Sequence, residues 1–140
     1  MNRKKSEFFL HKIQYLGHII SDEGIAMDLE KIKAIVDGPQ PNDVHEVKSF
    51  LGLATYYRRF IYHFAQLVEP LHKLTRKDIT FQWTSKENDA FNKLKQKLAS
   101  GPVLQIVDLN KTFLVEADAC GIGIGSVLMQ DGHPIAYESR

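Results

Sequence analysis

Residues 50–61, FLGLATYYRRFI, decide how the middle of this 140-residue chain folds. Their apolar residues recur at intervals of three and four and continue to residue 64, which predicts a broad buried stripe on an amphipathic helix. The stripe comprises Phe50, Leu51, Leu53, Ala54, Tyr57, Phe60, Ile61 and Phe64. Tyr56, Arg58 and Arg59 lie off the stripe, so the outer side is aromatic and basic. This pattern is typical of a solvated helix face and also of a nucleic-acid-binding surface.

The flanking segments indicate further helices and a β-hairpin. Residues 7–20 are rich in β-forming residues and suggest a strand or hairpin, followed by a turn at 21–24 and a short strand at 25–27. Asp28 is placed to cap a helix, and a later helix is expected at 66–74. Asp43 with Glu46, and Thr84 with Glu87, have the spacing of capping boxes. The buried side of the helix after Asp28 is expected to comprise Leu29, Ile32, Ile35 and Val36.

From residue 102 the pattern changes to strand-like runs. We expect strands at 103–107, 112–117, 122–130 and 134–137, with a hairpin turn at Asp131 and Gly132. Gly121, Gly123 and Gly125 alternate, which predicts a turn into a strand that has little side-chain bulk on one face. The chain is therefore predicted to be α+β, with a β-hairpin, then helices, then an antiparallel sheet.

Composition narrows the class of protein. There are 18 basic and 17 acidic residues, and a net charge of +1 is weak evidence against a free-standing nucleic-acid binder. The single cysteine excludes an internal disulfide and a cysteine-built zinc site, and the six histidines lack the spacing of a metal motif. No apolar run has the length of a membrane span, and no secretory signal is recognisable. We expect an intracellular protein, cytoplasmic or nuclear, that makes no membrane contact.

Five blocks in register carry a resemblance to a known family. They are FFLHKIQYLGHIIS, GIAMDLEKIKAI, FLGLATYYRRFI, FQWTSKENDAFNKLK and LVEADACGIGIGSVLMQDGHPIAYESR. In this order they resemble the reverse transcriptase polyprotein of gypsy-type long-terminal-repeat retrotransposons, particularly plant ones. The resemblance implies that residues 1–27 end the polymerase palm, 28–76 form the thumb, 77–101 connect, and 102–140 begin an RNase H domain. The implied fold is a helical thumb-like bundle between a β-hairpin and an incomplete RNase H-like antiparallel sheet.

The resemblance also implies two groups of nucleic-acid contacts. The first group matches the family's primer-grip hairpin and comprises Leu16, Gly17 and His18. The second matches the thumb helix that lies along the minor groove of the template-primer duplex and comprises Lys48, Tyr56, Arg58 and Arg59. Arginine and lysine neutralise phosphates, and aromatic rings stack on sugars or bases. The alternatives are an ordinary hairpin with a packing glycine and a solvated helix face.

Asp118 matches the family's first RNase H carboxylate, which binds a divalent metal in two-metal hydrolysis. The parent enzymes use Mg²⁺ or Mn²⁺, and several carboxylates must hold such a pair of ions. Glu116 shares a strand face with Asp118, although the resemblance gives it no ligand role. The polymerase carboxylates are expected upstream of this chain and the remaining RNase H carboxylates beyond Arg140. We therefore expect the chain alone to bind no metal and to be inactive.

Three functions remain open from the sequence. The first is a reverse transcriptase fragment that binds RNA–DNA hybrid or DNA duplex weakly and catalyses nothing. The second is a co-opted protein that acts through a protein partner, or through self-association at an open sheet edge. The third is an RNase H-like hydrolase that a second chain completes in trans.

Overall fold

The computed structural model describes residues 10–121 and 123–140, and this part begins with a small antiparallel sheet. Its strands are β1 (Lys12–Tyr15), β2 (His18–Ser21) and β3 (Gly24–Met27), in the order β1-β2-β3. Tyr15 pairs with His18, so Leu16 and Gly17 form a two-residue turn. The predicted hairpin and returning strand are confirmed, and residues 7–9 of the predicted segment lie outside the described residues.

Four α-helices follow: α1 (Leu29–Val36), α2 (Val44–Tyr56), α3 (Phe64–Lys73) and α4 (Ser85–Ala99). Their N-termini confirm the capping signals. The Asp28 carboxylate accepts a hydrogen bond from the Glu30 amide, and the Asp43 carboxylate accepts one from the Glu46 amide. The Thr84–Glu87 box that opens α4 is complete. None of the helices in the described residues is long and apolar enough to cross a membrane.

The structure corrects the prediction that one helix carries the whole apolar stripe. Helix α2 ends at Tyr56, a 3₁₀ turn covers Arg58–Phe60, and α3 begins after His63, whose φ of 57° is left-handed. Apolar spacings of three residues suit a 3₁₀ turn as well as an α-helix, so periodicity does not reveal the break. Two residues expected to be buried are exposed instead, because they lie at the outer rims of their helices: Leu29 is 64% and Leu53 52% accessible.

The core lies between the helices and the inner side of both sheets. Helix α4 packs against α1 and α3, and α2 packs against α3. The most deeply buried side chains in this cluster are Ile32, Val47, Ala54, Phe60, Ile61, Val68, Leu71, Leu94, Leu98 and Leu104. Most of them come from α2, α3, α4 and the 3₁₀ turn, so the helical segment holds most of the buried apolar surface that stabilises the fold.

A second antiparallel sheet ends the chain. It contains β4 (Leu114–Cys120), β5 (Gly123–Gln130) and β6 (His133–Ser139) in the order β4-β5-β6. Asp131 (φ 49°) and Gly132 (φ 76°) form the predicted hairpin turn. The sheet packs on the helices through β5 and β6. Strand β4 lies at the edge, and its side chains include Leu114 and Val115, which are 56% and 64% exposed.

The predicted strand at 103–107 is wrong. Leu104 makes an isolated bridge with Ile25 of β3, with N–O distances of 2.7 and 2.8 Å, whereas the next amide, of Gln105, donates to the Pro134 carbonyl of β6. Successive residues are therefore bonded to different sheets, and the segment joins neither as a strand. The fold class is α+β, as predicted: a three-stranded antiparallel sheet, four helices and a second three-stranded antiparallel sheet.

Candidate nucleic-acid interface

The hairpin turn of Leu16 and Gly17 lies directly against the end of α2. Both residues have left-handed φ values, 47° and 77°. A two-residue hairpin turn requires such values, and glycine adopts them at little cost. A Cβ on Gly17 would lie 2.8 Å from the Tyr57 hydroxyl oxygen. Gly17 is therefore needed twice over, for its backbone conformation and for the close approach of the tyrosine. The Leu16 side chain is 68% exposed at the tip of the hairpin.

Two consecutive tyrosines bind the backbone of this turn. The Tyr56 hydroxyl donates to the Leu16 carbonyl, and the Tyr57 hydroxyl donates to the Gly17 carbonyl at 3.2 Å. Tyr57 is buried, whereas Tyr56 is 52% exposed. Burial raises the pKa of the Tyr57 hydroxyl above that of a free tyrosine, and the nearby Tyr56 and Asp28 raise it further. The hydroxyl therefore keeps its proton at neutral pH and remains a donor.

His18 lies behind the turn rather than on the outer surface. Its ring stacks on Phe60 with centroids 5.6 Å apart and lies 5.3 Å from the ring of Tyr56. Its Nδ1 is 3.1 Å from the Leu16 carbonyl oxygen, so the tautomer protonated at Nδ1 donates to the turn. Of the three predicted grip residues, the structure thus places Leu16 and Gly17 at the surface and His18 in a supporting position.

A concave surface connects the turn with helix α2. The depression has a volume of about 550 Å³, and an exposed Leu53 and the Tyr56 ring form part of its wall. Gly52 also lines it, and an added Cβ there would meet no atom within 4 Å. Lys48 is exposed four residues before Gly52 and shares its helix face. We call this surface the hairpin–helix face; it comprises Leu16, Gly17, Lys31, Lys48, Gly52, Leu53 and Tyr56.

The two predicted arginines extend this face toward the second sheet. Tyr56, Arg58 and Arg59 line one side of a second cleft of about 400 Å³, and residues of β4, β5 and β6 line the other. One Arg58 nitrogen is 3.9 Å from a carboxylate oxygen of Glu138, and both side chains are more than half exposed. Because such an exposed pair contributes little to stability, an anion that binds the Arg58 guanidinium more tightly than Glu138 can replace Glu138 there.

Asp118 does not line the arginine cleft, although it lies on the same edge strand, β4, that contributes Val115 to it. Its carboxylate oxygen is 3.5 Å from Nε2 of His63, and its side chain is 66% exposed. It pairs across the sheet with Gly125, where an added Cβ would lie 2.5 Å from Nδ1 of His63. The glycines of β5 therefore leave room for the start of α3, which confirms the predicted face of little side-chain bulk.

The described residues do not fit a two-metal centre. Within residues 10–121 and 123–140, no three His, Cys, Asp or Glu side chains converge as metal ligands. The neighbour that the structure gives Asp118 is the His63 imidazole, which offers nitrogen. A pair of hard divalent cations instead requires several oxygen ligands. Asp118 by itself therefore does not provide the several oxygen ligands that such a pair of ions requires.

Sequence reasoning missed three features of this face. Tyr57 was expected only in the core, yet its hydroxyl binds the hairpin turn. Leu53 was expected to be buried, and Lys31 was not considered, although both line the depression. The spacing of Lys48, Gly52 and Tyr56 at i, i+4 and i+8 is a signal in the sequence that could have revealed a continuous helix face without a bulky centre.

Comparisons with known proteins agree with this geometry. A family model described as an RNase H-like domain found in reverse transcriptase matches residues 83–140. The whole chain is 39% identical to part of the retrovirus-related Pol polyprotein from transposon gypsy of Drosophila melanogaster, and 99% of it is 35% identical to part of the transposon Tf2-3 polyprotein of Schizosaccharomyces pombe. The chain spans 15% and 11% of the length of these two relatives.

Solved structures of a foamy viral protease-reverse transcriptase are also similar to this chain. The dRH form of a foamy viral protease-reverse transcriptase, solved with double-stranded DNA, aligns over 98% of this chain and 25% of its own, with 26% identity and a TM-score of 0.86. The foamy viral protease-reverse transcriptase solved with an RNA/DNA hybrid aligns over 98% of this chain and 19% of its own, with 26% identity and a TM-score of 0.84. Residues 83–140 thus match an RNase H-like domain found in reverse transcriptase, and the homologues of the whole chain are gypsy-type retrotransposon Pol polyproteins.

Proposed function

We propose that this chain is a reverse transcriptase segment that binds RNA–DNA hybrid or DNA duplex weakly and catalyses nothing alone. The observation that carries the proposal is the continuity of the hairpin–helix face with Arg58 and Arg59. The depression lined by Gly17 and Gly52 would receive a sugar-phosphate strand, the Tyr56 ring would stack on a sugar or base, and the two guanidinium groups would neutralise phosphates. The complexes of the foamy viral enzyme with DNA and with RNA/DNA hybrid support the choice of ligand.

The proposal includes a layout and a location. Residues 1–27 would close the polymerase palm, 28–76 would form the thumb, 77–101 would connect, and 102–140 would begin the RNase H domain. The location would be intracellular. Leu16 and Gly17 would contact the primer strand, while Lys48, Tyr56, Arg58 and Arg59 would follow the duplex beyond it.

The first test is binding to a fluorescent RNA–DNA hybrid across a salt series. Reversing Arg58 and Arg59 to glutamate should weaken binding and reduce the slope of log K against log salt by about 2, because two phosphate contacts are lost. The matched control reverses Lys93 and Lys97, two exposed lysines of α4 that line neither cleft and change the net charge equally. Equal losses in both variants, or no binding at low salt, would contradict the proposal.

The second test addresses catalysis. The labelled hybrid is incubated with the chain in Mg²⁺ or Mn²⁺, and we expect no cleavage because no three potential ligands converge at Asp118 in the described residues, whereas a pair of metal ions requires several. Reproducible cleavage that Asp118→Asn abolishes would refute the inactive part of the proposal and would favour a hydrolase site completed by a second chain.

A second candidate function is association with a protein partner or with another copy through β4. The observation in its favour is that β4 is an edge strand with exposed side chains on both faces, including Leu114 and Val115. Such an edge offers unpaired backbone groups for strand addition. Light scattering across a concentration series tests self-association: a mass that rises with concentration and returns to that of a monomer in Val115→Lys would support it.

A further inference from the structure

The backbone carbonyls of the hairpin turn accept hydrogen bonds from residues of several elements. The Gly17 carbonyl accepts from the Asp28 amide at 3.0 Å and from the Tyr57 hydroxyl at 3.2 Å. The Leu16 carbonyl accepts from the Tyr56 hydroxyl. Carbonyl oxygens carry partial negative charge and would repel a phosphate if they faced it. The tyrosine hydroxyls, at the end of α2, donate to both oxygens.

The donors are themselves held in place. The Tyr57 ring is buried, meets Tyr56 edge-on with centroids 5.0 Å apart, and lies 6.4 Å from Phe60. Asp28 is 2% exposed, and its carboxylate accepts from both the Glu30 amide and the Gln14 side chain. The turn is thus connected through Asp28 to α1 and β1, and through the tyrosines to α2.

Gly17 and Tyr57 are complementary in shape as well. A methyl group on Gly17 would overlap the Tyr57 hydroxyl, at 2.8 Å from its oxygen, so only glycine permits this approach. The same hydroxyl that needs the glycine also bonds its carbonyl. Tyr57 is therefore more than a core residue, because its polar end reaches a backbone group of another element across the rim of the core.

We infer that Tyr56 and Tyr57 are positioning residues that clamp the Leu16 and Gly17 turn onto helix α2, so that turn and helix bind one nucleic-acid strand as a single surface. This inference rests on the proposed function. We call the arrangement the tyrosine clamp. The clamp would increase the affinity for nucleic acid, because a two-residue loop that otherwise becomes ordered only on binding is already ordered in the free chain.

The test compares Tyr56→Phe, Tyr57→Phe and the double variant with Tyr15→Phe. Tyr15 is 60% exposed, and its hydroxyl makes no hydrogen bond within the described part of the chain, so it is a matched control. Hydrogen exchange of the Asp28 amide reports on the turn directly, because this amide donates to the Gly17 carbonyl. Hybrid affinity and its salt dependence are then measured at a temperature where every variant is fully folded, as thermal unfolding shows.

We expect the double variant to exchange the Asp28 amide roughly three- to tenfold faster and to bind the hybrid roughly three- to tenfold more weakly, the effect of losing one or two hydrogen bonds. The salt slope should be unchanged, because the arginine contacts to phosphate remain. Tyr15→Phe should change neither quantity.

Two results would overturn the inference. Unchanged exchange of the Asp28 amide would mean that no clamp orders the turn. Faster exchange with unchanged affinity would mean that the hydroxyls are purely structural. In either case, an affinity that falls on reversal of Arg58 and Arg59 would leave the proposed function standing. If the unaltered chain binds no hybrid, the proposed function fails, and the clamp's role in binding fails with it.

Discussion

Gly125→Ala tests how the second sheet is joined to the helices. An alanine Cβ at this position would lie 2.5 Å from Nδ1 and 2.6 Å from Cε1 of His63, so the imidazole must move by about 1 Å to reach ordinary contact distance. The ring has little freedom: Tyr62 packs on it with centroids 3.9 Å apart, and its other nitrogen is 3.5 Å from Asp118. The substitution should therefore displace His63 from both neighbours.

The expected loss of stability follows from opposing contributions. Overpacking costs about 1–3 kcal/mol, and loss of the partly exposed His63–Asp118 contact adds about 0–1 kcal/mol. Replacing a strand glycine by alanine returns roughly 0.5–1 kcal/mol. The middle of each range gives a net destabilisation of about 1–2 kcal/mol, which corresponds to a fall of roughly 3–8 °C in Tm for a chain of this length.

A double-mutant cycle with His63→Gly isolates the contact. Glycine suits the φ of 57° at this position and removes the ring, so Gly125→Ala in that background should be neutral or slightly stabilising. Chemical denaturation of the four chains gives the coupling free energy. Gly121→Ala is the control, because an added Cβ there meets no atom within 4 Å. An equal loss of stability with and without the imidazole would refute the reasoning.

Four further predictions concern the surface and the stability of the elements. Gly52→Leu should raise the free energy of unfolding by roughly 0.5–1 kcal/mol, since leucine is the better helix former, yet weaken hybrid binding in a fluorescence titration because it fills the depression; tighter binding would contradict the proposed face. Glu138→Gln should tighten binding a few-fold at low salt and not at high salt, because it removes the anion beside Arg58 while changing stability by less than about 0.5 kcal/mol. Because the pKa of Tyr57 is raised in the folded state, the stabilisation by its hydroxyl is complete below the ordinary tyrosine pKa and is lost as pH rises through the folded-state pKa. In denaturation experiments at alkaline pH, the difference in unfolding free energy between the unaltered chain and Tyr57→Phe should therefore shrink as pH rises. A difference that stays constant with pH would contradict this prediction. Amide exchange should be slower in α2 than in β4, because α2 contributes to the core while β4 is exposed on both faces; the reverse order would be inconsistent with this packing.

The sequence predicted the elements that local signals specify. The helix N-termini at Asp28, Asp43 and Thr84 were predictable because a short polar side chain binds orphan amides within three residues. The turn at Asp131 and Gly132 was predictable for a similar reason, since both residues tolerate positive φ. In each case the interaction that fixes the structure joins neighbours in the chain.

Elements fixed by distant partners were not predictable. The strand expected at 103–107 was wrong because Leu104 bonds to Ile25 and the next residue to Pro134, pairings that no local pattern encodes. The break after Tyr56 was missed because apolar spacings of three residues suit a 3₁₀ turn as well as an α-helix. The position of the hairpin turn, forty residues away in sequence, is what places the tyrosine hydroxyls. The residue types in the sequence suggested a nucleic-acid-binding surface, and only the tertiary structure shows which of these residues contact one another.

The hairpin–helix face is held more firmly than the contacts between the helices and the second sheet. The proposed binding surface therefore depends little on that sheet. The hairpin–helix face is joined by hydrogen bonds to the buried Asp28 and Tyr57, where an unmade bond would cost about 1–3 kcal/mol. Two charge contacts from this region to the sheet, Arg58 with Glu138 and His63 with Asp118, join side chains that are 30% to 66% exposed and are worth about 0–1 kcal/mol each. Local opening of β4 therefore leaves the clamp and the arginines in place, so the proposed hybrid binding does not require the edge strand that carries Asp118.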